Sequence, residues 1–257
     1  MDIRNDPIAV IDSGVGGTSV LKELVKLMPN ENYIYYGDNK NAPYGTKTAD
    51  EVLSLMLSNV DMLINSGAKA VVIACNTATA ASAKQLRSKY PDFPIIGIEP
   101  AIKPSAQYKE HSNVLVMATP LTLKQDKFND LLDRFSDEVN ISTLACPGLM
   151  ELVEEGKITG IEIENFLKEL FKPFEHVKID SVVLGCTHYP HIKDAILKVL
   201  GGNVMIFDGG AGTARETKRR LEELNIENPS NSKGIIEIKC SDEKNDISEL
   251  ALKLMSL

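Results

Sequence analysis

Two segments of this 257-residue chain read almost alike. Residues 71–77 are Val-Val-Ile-Ala-Cys-Asn-Thr, and residues 182–188 are Val-Val-Leu-Gly-Cys-Thr-His. In each, an apolar, largely β-branched run leads to a small residue, a cysteine and a polar side chain. Such a run reads as a strand buried on both faces of a parallel sheet. Open α/β sheets keep their ligands outside the carboxyl ends of such strands. The two cysteines, Cys75 and Cys186, stand 111 residues apart (186 − 75). Two thiols at the exits of two similar strands predict two similar halves that bring both thiols to one cleft.

The rest of the chain alternates in the same way. Strand-like runs at 7–11, 32–36, 70–74 and 94–98 are interleaved with helical periodicity over 18–28, 48–66 and 79–90. Thr48 or Asp50 is the expected cap of the second helix. The second half offers strands at 113–117, 141–145 and 181–185, with a helix reaching about residue 135 and others over 149–155, 161–175 and 190–200. A strand at 204–207, a helix to about 224, a strand at 235–239 and a helix over 246–256 follow. Asp12, at the first strand exit, precedes Cys75 by 63 residues (75 − 12); its counterpart Thr119 precedes Cys186 by 67 (186 − 119). The expected fold class is α/β, with two similar doubly wound α/β domains facing each other across a central cleft. Internal duplication would relate them by a pseudo-twofold. The late elements are expected to rejoin the first half. That gives residues 1–98 plus 208–257 as the domain with Asp12 and Cys75, and 99–207 as the domain with Thr119 and Cys186.

A formal net charge of −8 disfavours a nucleic-acid partner, which needs clustered positive charge. No apolar run approaches the roughly 20 residues of a membrane span, and residues 1–7 lack a secretory pattern, so the expected location is the cytoplasm. Four cysteines in a chain of this length make no disulfide framework, and reduced thiols stay free for chemistry.

Asp12-Ser13-Gly14-Val15-Gly16-Gly17 joins a strand to a helix, and its amides could cradle an anion. It is neither a dinucleotide fingerprint, since position 19 is Ser, nor a P-loop. Cys75 and Cys186 each stand where a helix N-terminus is expected to lower a thiol pKa, although buried, inert cysteines are common. Opposed thiols suit the removal of a proton from one face of a carbon and its return to the other. His188 could support a thiolate or shuttle its proton, or simply pack. Cys186-Thr-His188-Tyr-Pro-His191 also has the look of a metal site, but the 189–191 turn and the lack of a nearby fourth ligand argue against it. Asn76, Thr77, Thr119, Thr122 and Thr187 are short polar side chains at strand ends, suited to carboxylates or to helix capping. Tyr44-Gly45 lies on a loop that could close over a ligand. Helix 151–155 is mostly a solvated face, with Glu154 the residue able to face the cleft. Cys146 and Cys240 read as structural.

Asp12-Ser13-Gly14-x-Gly16-Gly17, Pro43-Tyr44-Gly45, Ala74-Cys75-Asn76-Thr77-Ala78 and Gly185-Cys186-Thr187-His188-Tyr189-Pro190 together resemble the glutamate racemases, of the aspartate/glutamate racemase superfamily. The resemblance covers about residues 8 to 224. It implies an isomerase that needs no cofactor and no metal, with Cys75 and Cys186 as acid/base residues, the first serving D-glutamate and the second L-glutamate. Asp12 would assist Cys75, and His188 would assist Cys186, with Glu154 close by. Asp12, Ser13, Pro43, Tyr44, Gly45, Asn76, Thr77, Thr119, Thr122, Thr187 and His188 would hold the substrate. The implied role is D-glutamate supply for peptidoglycan, by a homodimer whose partner is a small molecule rather than nucleic acid or membrane. The chain departs from the family pattern around Ala118 and Pro120, and has Gln125 and Phe128 in place of serine and tyrosine. These changes bear on affinity and fine specificity more than on reaction type. The alternatives are an aspartate or hydantoin racemase, a thiol hydrolase or redox protein, and a non-catalytic amino-acid-binding protein.

Overall fold

A computed structural model describes residues 2–256. The first four strand–helix pairs are β1 (Ile8–Asp12) and α1 (Thr18–Leu27), β2 (Tyr33–Gly37) and α2 (Ala49–Asn65), β3 (Ala70–Ile73) and α3 (Asn76–Lys89), and β4 (Ile95–Gly97) and α4 (Ile102–Tyr108). Then come β5 (Asn113–Ala118), α5 (Pro120–Leu123), α6 (Asp126–Asp133), β6 (Asn140–Ala145), α7 (Leu149–Glu154), α8 (Ile161–Phe171), β7 (Ser181–Leu184) and α9 (Lys193–Leu200). The chain ends with β8 (Met205–Asp208), α10 (Gly210–Leu224), β9 (Ile236–Cys240) and α11 (Ser248–Ser256).

The strands form two all-parallel sheets, ordered β4-β3-β1-β2-β9 and β6-β5-β7-β8. Shifting each strand number by four turns β4-β3-β1-β2 into β8-β7-β5-β6, so the two halves share one topology. β9 is the added strand, joined to β2. Both sheets reverse winding direction at their centres, between β1 and β3 and between β5 and β7. Crevices at such switch points are where open sheets bind ligands.

Burial on both faces explains the unbroken apolar runs. Ile8, Val10, Val72 and Ala74 on one face of the first sheet belong to a core continuous with Leu115, Met117, Val182 and Leu184 of the second. The opposite faces carry Ala9, Ile11, Val71 and Ile73, covered with Val52, Met56 and Val60 of α2, and Val114, Val116 and Val183, covered with Ile102 of α4 and Phe128 of α6. Thr48 caps α2 through a reciprocal bond with Glu51.

Several local expectations change. α4 is an element the sequence pattern does not announce: it is short, and Pro104 sits in its first turn, where the missing N–H has no intrahelical partner to lose. The single helix expected up to residue 135 breaks at Lys124–Gln125 into α5 and α6. α3 starts at Asn76, earlier than its periodicity suggests, because its first turn is built from small polar residues. Asp208, counted with the first half by sequence, pairs with Leu184 as the last residue of β8. Among the described residues, no helix is long and apolar enough to cross a membrane.

Candidate active site

Asp12 ends β1 and Cys75 follows the adjoining β3; Thr119 and Cys186 follow β5 and β7. Each cysteine lies two residues past its strand. The matched registers therefore bring equivalent positions of the two sheets to the cleft.

Cys75 is the N-cap of α3, and its sulfur accepts the Ala78 N–H at 3.4 Å. The expectation that this placement lowers the thiol pKa is not met. Burial, reinforced by the Asp12 carboxylate, pushes the thiol well above its ordinary range, while the Ala78 N–H and the Ser13 hydroxyl oppose this too weakly. Cys75 is consequently a protonated thiol at neutral pH. Asp12 is also buried, and burial raises its pKa. Its two oxygens accept the Gly14 N–H at 3.2 Å and the Thr187 hydroxyl at 3.1 Å, the latter from the other half of the molecule.

Cys186 has a different setting. No α-helix begins behind it; residues Tyr189–Ile192 form a 3-10 turn, and α9 starts only at Lys193. Its sulfur instead lies 3.5 Å from His188 Nδ1. His188 is buried, and its Nε2 is 2.6 Å from Glu154 Oε1. Burial by itself would lower the His188 pKa. The hydrogen bonds and charges of Cys186 and Glu154 outweigh it and hold the imidazole well above its usual value. Burial likewise works against an ionised Glu154, yet the His188 contact keeps the carboxyl below its usual value. Glu154 Oε1 also accepts the Val15 N–H at 2.8 Å, so this carboxylate faces the cleft and ties both halves together.

Polar groups line the space between the cysteines. The hydroxyls of Thr77, Thr119 and Thr122 form a closed triangle with edges of 3.0, 3.0 and 2.9 Å. Both side-chain polar atoms of the buried Asn76 lack any partner. An unpaired buried amide is costly, so both atoms are open to a hydrogen-bonding group brought into the site. Pro43 precedes the 3-10 turn Tyr44–Thr46, and Gly45 packs against Thr119 across the cleft. The Tyr44 hydroxyl is not free for a ligand: it donates to Asp38 at 2.6 Å. Ser13 and Thr187 are buried beside Asp12. Cys146 is buried directly after β6, at the outer edge of the second sheet, and burial pushes its thiol up to about 12. Cys240 lies on β9, the strand beyond β2.

Two supporting residues escaped the sequence reading. Asp38 is fully buried and gathers Tyr44, Asn41 and Asn59. Its place at the exit of β2, one residue past the position paired with Asp12, was the available signal. Tyr35, inside β2, donates its hydroxyl to the Gly14 carbonyl at 2.6 Å from beneath the loop; only the fold reveals this.

A family model described as Asp/Glu/Hydantoin racemase matches residues 8–217. A glutamate racemase of Clostridium perfringens is 51% identical over 256 residues, covering 100% of this chain and 98% of that protein. The crystal structure of Escherichia coli glutamate racemase in complex with L-glutamate and the activator UDP-MurNAc-ala superposes with a TM-score of 0.84 at 33% identity, covering 98% and 94% of the two chains. That of Francisella tularensis glutamate racemase in complex with D-glutamate gives 0.85 at 28% identity, covering 99% and 95%. This chain therefore belongs to the Asp/Glu/Hydantoin racemase family of amino-acid isomerases, with the glutamate racemases as its full-length relatives.

Proposed function

We propose that this chain interconverts L- and D-glutamate by two-base proton transfer at the α-carbon, without a cofactor, and so supplies D-glutamate for peptidoglycan in the cytoplasm. The reading is carried by one observation: two cysteines at equivalent strand exits have opposite electrostatic settings. Cys75 is held as a thiol beside Asp12. Cys186 sits against a His188 imidazole favoured in its protonated form, which is the partner a thiolate needs. That asymmetry suits one base and one acid at the start of a turnover. Cys186 would take the α-proton of L-glutamate while Cys75 delivers its own to the opposite face; for D-glutamate the roles reverse.

The α-hydrogen of an amino acid is a very weak acid, so the developing carbanion needs preorganised donors. The unpartnered Asn76 amide and the hydroxyls of Ser13, Thr77, Thr119, Thr122 and Thr187 are suited to bind the carboxylates. A carboxylate would have to open the threonine triangle to use its protons. Backbone around Pro43, Tyr44 and Gly45 would contribute, since the Tyr44 hydroxyl is taken. Fixing the substrate between two bases supplies a further share of the rate, on the order of 7–11 kcal/mol in well-oriented systems. The same reading divides the chain into a first domain (1–98 plus 208–257) and a second (99–207), with Asp208, the last residue of β8, at the boundary, and expects a homodimer with no metal.

Incubation of the purified protein with L-glutamate in heavy water, without additives, tests this. Optical rotation should decay to zero as deuterium enters the α-carbon. Cys75→Ala and Cys186→Ala should each reduce turnover by roughly 10³-fold, the scale of a lost acid/base group. Normal racemisation by either variant, or a preference for another amino acid, would overturn the proposal.

A further inference from the structure

His191 is the remaining histidine of the Cys186-Thr-His188-Tyr-Pro-His191 segment, and the reaction leaves it unused. Its Nε2 lies 3.1 Å from Thr18 Oγ1 and 3.3 Å from the Gly16 carbonyl oxygen. Thr18 already spends its hydroxyl proton on the Val15 carbonyl, at 2.7 Å. Both neighbours of Nε2 therefore present lone pairs, which fixes the proton on Nε2 and makes His191 the donor. The contact bridges the two halves, since Gly16 and Thr18 lie where the loop after β1 enters α1 while His191 belongs to the turn after Cys186. Ser19 adds a parallel link: its hydroxyl lies 2.9 Å from both the Gly16 and the Thr187 carbonyls.

Gly16 is the element that transmits the contact. A side-chain carbon there would overlap the His188 ring, so the backbone at Gly16 lies flat against that imidazole. His188 is thus gripped by Cys186 at Nδ1, Glu154 at Nε2 and Gly16 on its face. We infer that His191 is a positioning residue, whose Nε2–H clamps Gly16 and Thr18 to the Cys186–His188 turn and so holds the His188 imidazole against the Cys186 sulfur. The clamp stays neutral: burial, helped by the nearby charges of His188 and Lys22, pushes His191 down to about 4, against the opposing Gly16 carbonyl and Glu154 carboxylate. A second cation beside His188 would compete with it for Glu154, and the neutral ring avoids this.

The kinetic readout rests on the proposed two-cysteine reaction. Enantiomers are isoenergetic, so His191→Ala must lower kcat/KM equally in both directions, here by roughly tenfold for one lost cross-cleft hydrogen bond. The damage should fall on proton transfer at Cys186 alone. The isotope effect on kcat/KM with α-deuterated L-glutamate should then rise, and that with α-deuterated D-glutamate should shrink toward unity. A merely structural loss lowers the active fraction and leaves both isotope effects unchanged. His191→Gln, whose amide N–H can reach Thr18 and Gly16, should restore both, and it serves if the Ala variant does not fold. Unchanged isotope effects in a folded His191→Ala, or failure of Gln to rescue, would overturn the clamp. Nitrogen-15 spectra of the imidazoles decide it without turnover. His191 should show an Nε2–H tautomer that does not titrate above pH 5, and His188 should shift in the His191→Ala variant. An unmoved His188 sinks the inference even if the protein racemises glutamate. A wild-type protein inert toward glutamate sinks only the reaction, and the spectra still judge the clamp.

Discussion

Glu154 and His188 are one unit although 34 residues separate them in sequence. The imidazole is buried and the carboxylate partly so, and each favours the charged form of the other. The folded His188 pKa is raised above its unfolded value near 6.5, so its contribution to stability is complete below that value and fades as pH rises through the folded one. The Glu154 pKa is lowered from 4.5, so its contribution is complete above that value and is lost as pH falls through the folded one. Both are fully present only between about pH 4.5 and 6.5. Glu154→Gln should therefore destabilise most in that window, by about 3 kcal/mol for a broken buried pair, with a smaller deficit at higher and lower pH. Urea unfolding across pH measures this; a pH-independent deficit would show that the pair is not ionised. The residue types were legible in the sequence, but the contact depends on the α7 helix turning one acidic side chain inward.

At the scale of elements, the junction of β3 and α3 combines two roles in Cys75. Its sulfur caps the helix, and its proton is the one the proposed reaction delivers. These roles separate by substitution. Serine is a strong N-cap and alanine a poor one. Cys75→Ser should be more stable than Cys75→Ala by about 1 kcal/mol in denaturant unfolding, while both variants lose most of their turnover. Equal stabilities would mean that the sulfur contributes nothing as a cap. The same junction shows how far local rules reach. Strand exits were readable because buried β-branched runs have few other uses. The thiol pKa was not, since the helix N-terminus favours the thiolate while burial and Asp12 oppose it, and only tertiary packing sets their balance. α4 and the break between α5 and α6 were also invisible, because short helices owe little to periodicity and much to what covers them.

For the whole molecule, Lys69 joins segments far apart in sequence. Its buried ammonium lies 2.6 Å from Glu31, 2.6 Å from the Arg4 carbonyl and 2.9 Å from the Ile226 carbonyl. This fastens the chain start and the exit of α10 to the end of the first sheet remote from the cleft. Lys69→Met leaves the buried Glu31 carboxyl with only the Asn228 N–H for a partner, and should cost about 3–5 kcal/mol of unfolding free energy. Adding Glu31→Leu should recover much of that loss, and failure to recover would assign the cost to packing instead. Sequence alone determined the two-sheet α/β plan, the duplication and the two cysteines. These follow from hydrophobic periodicity and from strand ends, which are local properties of the chain. The tertiary structure decided which groups meet: the Thr187 hydroxyl with Asp12, Glu154 with the Val15 N–H, and His191 with Thr18. It also decided that the Cys75 thiol is held above its ordinary range. Those outcomes depend on distance and burial summed over both halves, quantities that exist only once the two sheets close on one cleft.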